Sequence, residues 1–278
     1  SEYACIFAAL GVEVHVVDGR DELLPFLDWE VSKRLHERME ALGIRFHFET
    51  MVNECRTKDS DWVHVALASG ATIDADAVLV AAGRTSNTEK LGLEAAGITP
   101  GKRGLIEVDD NYRTAVPNIY AAGDVIGFPA LASTSMEQAR LAMVHAFDLK
   151  YKTEMAPILP FGIYTIPEVS MAGGAEEDLR AKGADIVVGR ASYGENPRGL
   201  IVGDYTGFLK LVFNAGDMRL IGVHIVGELA TELVHIGLMA MMTGQGADLF
   251  INSCFNYPTL SDVYKYATYD ALGRRGKR

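Results

Sequence analysis

Asp18 and Arg20 follow a run rich in β-branched residues, positions 12–18, that is typical of a buried parallel strand. A carboxylate that ends such a strand in a doubly wound fold can accept hydrogen bonds from ribose hydroxyls. An arginine beside it can pair with a phosphate on the 2′ oxygen. The pair thus predicts one edge of a nucleotide site. The alternatives are an ordinary turn aspartate and a solvated loop arginine.

Gly83 and Arg84 close a second apolar run, residues 76–83, which we predict to be another buried strand. Glycine at a strand end lets the backbone approach a ligand closely, and the arginine after it can contact a phosphate or a ribose. By itself this short motif fits many loops, so its meaning depends on the rest of the chain.

The longest motif is the segment 114–124, TAVPNIYAAGD, which ends in Gly123 and Asp124. Its pattern predicts a buried strand that carries Asp124 to the carboxyl edge of a sheet, where doubly wound folds bind ligands. Thr134 and Glu137 have the spacing of a capping box and predict a helix start close by. The positive end of that helix would favour negative charge on a bound group.

The elements that must position these residues alternate between helix and strand along the first half of the chain. We predict a helix up to Gly11, a strand at 12–18, a helix at about 28–43, a strand at 44–48 and an antiparallel meander over 51–73. From Pro157 the pattern changes to a long hairpin at 208–226, followed by helices near 228–243 and 259–272. This order predicts α/β segments followed by an α+β domain.

The composition narrows the functional classes. A formal net charge of −11 over 278 residues disfavours nucleic acid and anionic membranes as partners. No apolar run reaches the roughly 18–20 residues that span a bilayer. The three cysteines have neither C-x-x-C nor zinc spacing, so we expect no metal site and a cytoplasmic location.

The chain starts inside what reads as a helix, without an initiator Met or a preceding strand. A dinucleotide fold places its G-x-G-x-x-G fingerprint about 20 residues before the acidic residue, which here is Asp18. We therefore expect an N-terminally incomplete sequence, with the fingerprint immediately before Ser1.

Taken together, the motifs resemble those of the pyridine nucleotide–disulfide oxidoreductase family in order and spacing. The matching segments are Gly83-Arg84 with Asn87, Tyr120–Asp124, Ile166–Val169 and Tyr257–Asp262. The resemblance implies partial FAD- and NAD(P)-binding Rossmann-like domains of α/β type, followed by an α+β dimerisation domain. It divides the chain into an NAD(P)-binding domain at 1–84 that lacks its first strand and glycine-rich loop, the C-terminal part of an FAD domain at 85–152, and a dimerisation domain at 153–278.

The same resemblance assigns cofactor residues. Those expected to hold FAD are Gly123, Asp124, and the backbone of Leu131 and Ala132. Those expected to line the NAD(P) site are Glu2, Asp18, Arg20, Gly83 and Arg84, with Glu2 near the nicotinamide.

The informative departure is Tyr257, where disulfide reductases of the family have a histidine that acts as acid and base. A phenol with a pKa of about 10 can hardly replace an imidazole with a pKa of about 6.5 at neutral pH. Asp262, at the position of the family's glutamate, then has no imidazole to orient. Tyr257 is alternatively a packed interface aromatic, and neither residue need be catalytic.

Loss of the base argues against thiol–disulfide chemistry but is tolerable for hydride transfer between nicotinamides. The string Phe255–Thr259 resembles the soluble transhydrogenases of the family. We therefore expect FAD-dependent hydride transfer between NADPH and NAD+, in a homodimer formed through residues 153–278. The alternatives are a disulfide reductase similar to dihydrolipoamide dehydrogenase, and a flavin-free dimerising fragment without activity.

Overall fold

The computed structural model of the chain describes residues 1–59 and 62–276, with the side chains of 58 and 59 left out. Its contacts form two compact units. The large unit combines Ser1–Val78 with Ile158–Arg278, and the small unit is Leu79–Pro157. One compact unit thus contains most of the expected NAD(P)-binding segment, 1–84, and most of the expected dimerisation segment, 153–278. The domain boundaries at residues 84 and 152 stay predictions.

The N-terminal part of the large unit is a helix followed by a βαβ unit. The elements are α1 (Glu2–Ala9), β1 (His15–Val17), α2 (Trp29–Ala41) and β2 (Arg45–His47). The two strands pair in parallel, with His15 opposite Arg45 and Val17 opposite His47. A parallel pair needs a crossover rather than a tight turn, and α2 supplies it. This confirms the predicted order, although both strands are shorter than expected.

Helix α2 is amphipathic. Val31, Leu35 and Met39 recur at helical spacing and are buried. They pack in one hydrophobic cluster with Val169 and Val226, which lie far along the chain. The N-terminal segment therefore shares its core with the C-terminal sheet, and this sharing makes the large unit one body.

A three-stranded antiparallel meander follows. Its strands are β3 (Val52–Asp59), β4 (Trp62–Leu67) and β5 (Thr72–Ala75), in that order across the sheet. Val65 and Leu67 supply its buried side chains. The meander predicted over residues 51–73 is confirmed.

The small unit has little regular structure. It contains α3 (Ala132–Ala146) and short 3-10 turns at Glu94–Ala96, Lys102–Gly104 and Gly123–Ile126, all built around a small core of Leu93, Ile98, Ile106 and Ala121. Helix α3 is the helix predicted after Asp124, whereas residues 79–157 contain none of the predicted strands.

Two predicted strands are wrong. Residues 76–83 form no strand, and Val80 is 80% exposed. Residues 118–124 reduce to a single bridge between Arg113 and Tyr120 before the 3-10 turn. An apolar run becomes a strand only when its backbone N–H and C=O groups pair with another strand. Residues 79–157 are all described, and they contain no strand with which either of the two runs could pair.

The C-terminal half is a five-stranded antiparallel sheet in the order β6-β7-β10-β9-β8. Its strands are β6 (Phe161–Ile163), β7 (Val169–Gly173), β8 (Ile186–Ser192), β9 (Phe208–Asn214) and β10 (Leu220–Val226). The helices are α4 (Glu176–Ala181), α5 (Pro197–Val202), α6 (Ala230–Met242), α7 (Ala247–Asn252) and α8 (Val263–Arg275). The predicted hairpin and the two predicted long helices are confirmed.

Both faces of this sheet are covered. On β9, Leu209, Leu211 and Phe213 join the main core, which also includes side chains of α6 and α8. The alternate positions of β9 face the other way, because successive side chains of a strand point to opposite faces. Phe208 packs in the cluster of α2, and Val212 packs with Leu179 of α4. The central position on this second face is Lys210, whose side chain is fully buried.

Candidate functional site

The structure brings Asp18 and Arg20 together at the end of β1. Arg20 donates from Nε to Oδ1 of Asp18 at 3.0 Å, and its terminal nitrogen lies 2.6 Å from Oδ2. The backbone N–H of Arg20 also donates to Oδ1 at 3.0 Å. The guanidinium holds the pKa of the Asp18 carboxyl below its ordinary value, and the carboxylate raises the pKa of Arg20.

The turn that carries this pair is fixed to the end of β2. The N–H of Asp18 donates to the carbonyl of His47 at 3.0 Å, and the N–H of Glu49 donates to the carbonyl of Arg20 at 3.0 Å. The backbone is thus held, while the Arg20 side chain is 54% exposed and that of Asp18 is 23% exposed. The arrangement offers a carboxylate and a guanidinium on one accessible edge.

Glu2 lies in the first turn of α1, where a carboxylate is favoured by the helix dipole. Its Oε1 accepts the backbone N–H of Tyr164 at 2.8 Å. One turn later the buried thiol of Cys5 lies 3.9 Å from the carbonyl oxygen of Ile166, and burial raises the pKa of that thiol. The start of α1 is therefore attached to the connection between β6 and β7.

In the small unit, Gly123 and Asp124 form a tight turn against α3. Gly123 has a φ of +82°, and its N–H donates to Oε1 of the buried Gln138 at 2.7 Å. A Cβ added to Gly123 would lie 2.5 Å from Oγ of Ser135. Only glycine fits this position, because both the backbone conformation and the space exclude a side chain.

Arg84 contacts Asp124 rather than standing alone. Its terminal nitrogen lies 3.0 Å from Oδ2 of Asp124, and both side chains are exposed. The structure thus pairs a residue expected in the NAD(P) site with one expected to hold FAD. Gly83, next to Arg84, has a φ of +107° and open space around it.

Helix α3 begins at Ala132 with Leu131 as its N-cap, so the predicted capping box is wrong. Leu131 is extended, with φ −123° and ψ 139°, and the helix therefore starts two residues before Thr134. Thr134 is buried in the first turn, and its hydroxyl has no hydrogen-bond partner among the described residues. A helix start with free N–H groups and an unpartnered hydroxyl fits a polar or anionic group of a cofactor.

Tyr257 and Asp262 lie before α8. Tyr257 is 73% exposed, and Asp262 ends the 3-10 turn Leu260–Asp262 and serves as N-cap of the helix. Within the part of the chain that the structure describes, no hydrogen bond joins their side chains.

Sequence reasoning missed a buried ionic cluster in the large unit. Nζ of Lys210 lies 2.9 Å from Oδ1 and 2.7 Å from Oδ2 of Asp28, and 2.9 Å from Oε2 of Glu176. The signal was present in the sequence, because a lysine in the middle of the apolar strand FLKLVF needs a partner if the strand is buried.

Over residues 1–59 and 62–276, no cluster of three or more His, Cys, Asp or Glu residues could hold a metal ion. In the same residues, none of the helices combines the length and apolar character needed to cross a membrane.

Comparison with known proteins agrees with these motifs. The family model described as pyridine nucleotide-disulphide oxidoreductase matches residues 1–143, and the model of its dimerisation domain matches residues 159–268. The soluble pyridine nucleotide transhydrogenase of Mycobacterium tuberculosis is 45% identical over 273 residues, which cover 98% of this chain and 58% of that protein. The protein of the same name from Pseudomonas savastanoi is 42% identical, over 98% of this chain and 59% of that protein.

Solved structures show the same fold. LpdA from Mycobacterium tuberculosis superposes with a TM-score of 0.87 at 27% identity, over 96% of this chain and 58% of that one. The HOCl-induced flavoprotein disulfide reductase RclA from Escherichia coli gives a TM-score of 0.90 at 25% identity, over 96% and 61%. The chain therefore spans less than two thirds of the length of these proteins. The predicted family and fold class are confirmed: the chain belongs to the pyridine nucleotide-disulphide oxidoreductase family.

Proposed function

We propose that the intact protein transfers hydride between NADPH and NAD+ with FAD as its cofactor, and that this chain contributes part of both nucleotide sites and the dimerisation domain. The family is FAD-dependent and uses NAD(P)H. The observation that carries the proposal is the exposed pair of Asp18 and Arg20, which presents both a carboxylate and a guanidinium at one strand end. The names of the relatives at 42–45% identity support the same activity.

The pair suits a site that must accept both dinucleotides. The ribose hydroxyls of NAD+ would donate hydrogen bonds to the Asp18 carboxylate. The 2′-phosphate of NADPH would instead bind the Arg20 guanidinium and replace Asp18 as its partner. Opening an exposed ion pair of this kind costs only about 0–1 kcal/mol. Neither dinucleotide is therefore strongly excluded. Glu2, Gly83 and Arg84 complete our proposed NAD(P) residues.

The residues proposed to hold FAD are Gly123, Asp124, and the backbone of Leu131 and Ala132. Gly123 brings its backbone close to α3, Asp124 offers an exposed carboxylate to sugar-like hydroxyls, and the start of α3 offers N–H groups. When bound, FAD supplies the hydride-accepting and hydride-donating chemistry that amino acids lack. The unpartnered hydroxyl of Thr134 supports this assignment.

The alternative is a disulfide reductase, which the superposition on RclA favours. Tyr257 argues against it, because this position has no histidine to serve a dithiol as acid and base. Hydride transfer between nicotinamides needs no such group, so Tyr257 and Asp262 have no catalytic role in this proposal. A second alternative, a fragment without flavin, is excluded if the purified chain is yellow.

We further propose a cytoplasmic homodimer assembled through residues 153–278. The match of the dimerisation-domain model to residues 159–268 supports the dimer, and free thiols at Cys5, Cys55 and Cys254 agree with a reducing compartment. Sedimentation of the intact protein as a monomer would contradict the dimer.

The test of the activity uses intact holoenzyme with NADPH and a thio-NAD+ analogue in the absence of any dithiol. We expect reduction of the analogue at a rate that depends on both nucleotides. If NADPH reduces the enzyme but the analogue gains no hydride, while a small disulfide is turned over, the protein is a disulfide reductase instead.

A further inference from the structure

A buried ionic cluster joins the βαβ segment to the C-terminal sheet, and the proposed hydride transfer makes no use of it. Lys210 of β9 is fully buried, as is Asp28, and the two are in contact although 182 positions separate them in the sequence. Nζ of Lys210 also lies 2.9 Å from Oε2 of Glu176 in α4 and 3.5 Å from Oε2 of Glu30 in α2.

Arg190 of β8 extends the cluster. It binds Glu30 through two hydrogen bonds, Nε to Oε2 at 2.6 Å and a terminal nitrogen to Oε1 at 2.7 Å. The same terminal nitrogen donates to Oε2 of Glu176 at 3.0 Å. Two cations of the sheet thus contact three carboxylates, one at the N-cap of α2, one in α2 and one in α4. Such buried pairs add little net stability over apolar packing, so their presence points to a need for defined geometry.

Asp28 connects this cluster to the proposed dinucleotide site. It is the N-cap of α2, accepting the N–H of Glu30 at 3.1 Å, and it ends the loop that starts after Asp18. At the other end of the loop the carbonyl of Arg20 is bonded to Glu49. Between these points Leu23 and Leu27 are buried. The loop of residues 19–28 is therefore attached at both ends, once to the segment that follows β2 and once to the C-terminal sheet.

We propose that Lys210 is a positioning residue for the dinucleotide site, which acts through Asp28 to fix the loop that carries Arg20 beside Asp18. An ammonium with three donors directed at fixed oxygens defines the position of α2, whereas an apolar contact would allow it to slide. The C-terminal sheet thereby sets the geometry of the strand end that contacts both dinucleotides in the proposed function. The importance of that edge rests on the proposed function, but the positioning is a property of this chain alone.

The decisive variant is the double substitution Asp28→Asn with Lys210→Met. Lys210→Met alone leaves Asp28 buried without its cation and is expected to fold poorly. Asparagine removes that charge and still caps α2. The matched control is Leu211→Ala, on the next residue of β9 but on the opposite face, where it loosens the main core without touching α2.

The measurement is hydrogen exchange of the full chain, resolved into peptides. We expect residues 19–28 to exchange at least tenfold faster in the double variant, with the peptides of α8 unchanged. In Leu211→Ala we expect the peptides of α8 to exchange faster and residues 19–28 to exchange as in the wild type. Unchanged exchange of residues 19–28 in the double variant would overturn the proposal, and so would equal acceleration of that loop in the control.

Binding of NADPH and NADH to the holoenzyme gives a second readout. We expect the double variant to bind dinucleotide about tenfold more weakly, with an altered ratio between the two, while Leu211→Ala binds as the wild type. If the wild type binds neither dinucleotide, the proposed function fails, and the exchange result still decides whether Lys210 positions the loop.

Discussion

Two ion pairs of the large unit share the same chemistry in opposite surroundings. Arg20 and Asp18 form a bidentate pair with the arginine more than half exposed, whereas Lys210 and Asp28 are fully buried. Water competes for the first pair, so it can open for a ligand at little cost. The second pair has no exposed surface, so we expect it to stay closed and to hold the backbone that carries Asp28. Burial, rather than residue type, separates the pair proposed to bind a dinucleotide from the pair proposed to position the loop.

The largest expected effect is on the buried pair. We expect Lys210→Met alone to lower the free energy of unfolding by about 3–5 kcal/mol, because it leaves the buried Asp28 carboxylate without its cation. Urea unfolding measures this. The double variant with Asp28→Asn should recover part of the loss, and a loss below about 1 kcal/mol in the single variant would show that the cluster is open to water.

The exposed pair should matter for binding rather than stability. We expect Arg20→Gln to weaken NADPH binding to the holoenzyme at least tenfold, since a charge-assisted contact to phosphate contributes about 1.5–3 kcal/mol, and to change NADH binding less than about twofold. Arg45→Gln is the matched control, because Arg45 of the neighbouring strand β2 makes a similarly exposed pair with Glu13, which precedes β1. Equal losses for NADPH and NADH in Arg20→Gln would remove the assigned role.

The small unit allows the same contrast between an enclosed and an open position. Gly123→Ala meets Ser135 and a positive φ, whereas Gly83→Ala meets only the positive φ. We expect Gly123→Ala to lower the free energy of unfolding by about 1–3 kcal/mol and Gly83→Ala to lower it by about 1–2 kcal/mol. Hydrogen exchange of peptides from α3 reports the difference, and FAD content reports its consequence. Indistinguishable exchange in the two variants would show that Ser135 moves away freely.

The smallest effect is the pH dependence of the exposed pair. The pKa of Asp18 is lowered in the folded chain by the Arg20 hydrogen bonds. Such a group stabilises the fold above its unfolded pKa of about 3.9, and the contribution is lost as the pH falls through the folded pKa. Stability should therefore fall slightly more between about pH 5 and pH 3 in the wild type than in Arg20→Gln, by well under 1 kcal/mol. If the urea midpoints of the wild type and Arg20→Gln change identically over that pH range, the pairing of Asp18 with Arg20 is contradicted.

Sequence patterns were sufficient where local physics decides the structure. The apolar spacing of Val31, Leu35 and Met39 predicted α2, and the alternation along residues 208–226 predicted the hairpin. The motif residues Asp18, Gly123 and Asp124 were recognised by type and spacing. Their expected roles remain proposals, but the structure does place Asp18 against Arg20 and Gly123 against α3.

Long-range partners decided what the sequence could not show. The run 76–83 has strand composition but no neighbouring strand in the described chain, so it stays irregular. The predicted capping box at Thr134 failed because an extended Leu131 starts the helix earlier. Lys210 was visible as a charge in an apolar strand, but its partner Asp28 could be found only once α2 was packed on the sheet.

Direct titration of wild-type holoenzyme with NADPH and with NADH tests whether one exposed pair serves both dinucleotides. Opening the pair of Asp18 and Arg20 costs at most about 1 kcal/mol, so we expect the two dissociation constants to lie within about tenfold of each other. A preference of more than about a hundredfold for either dinucleotide would contradict this expectation.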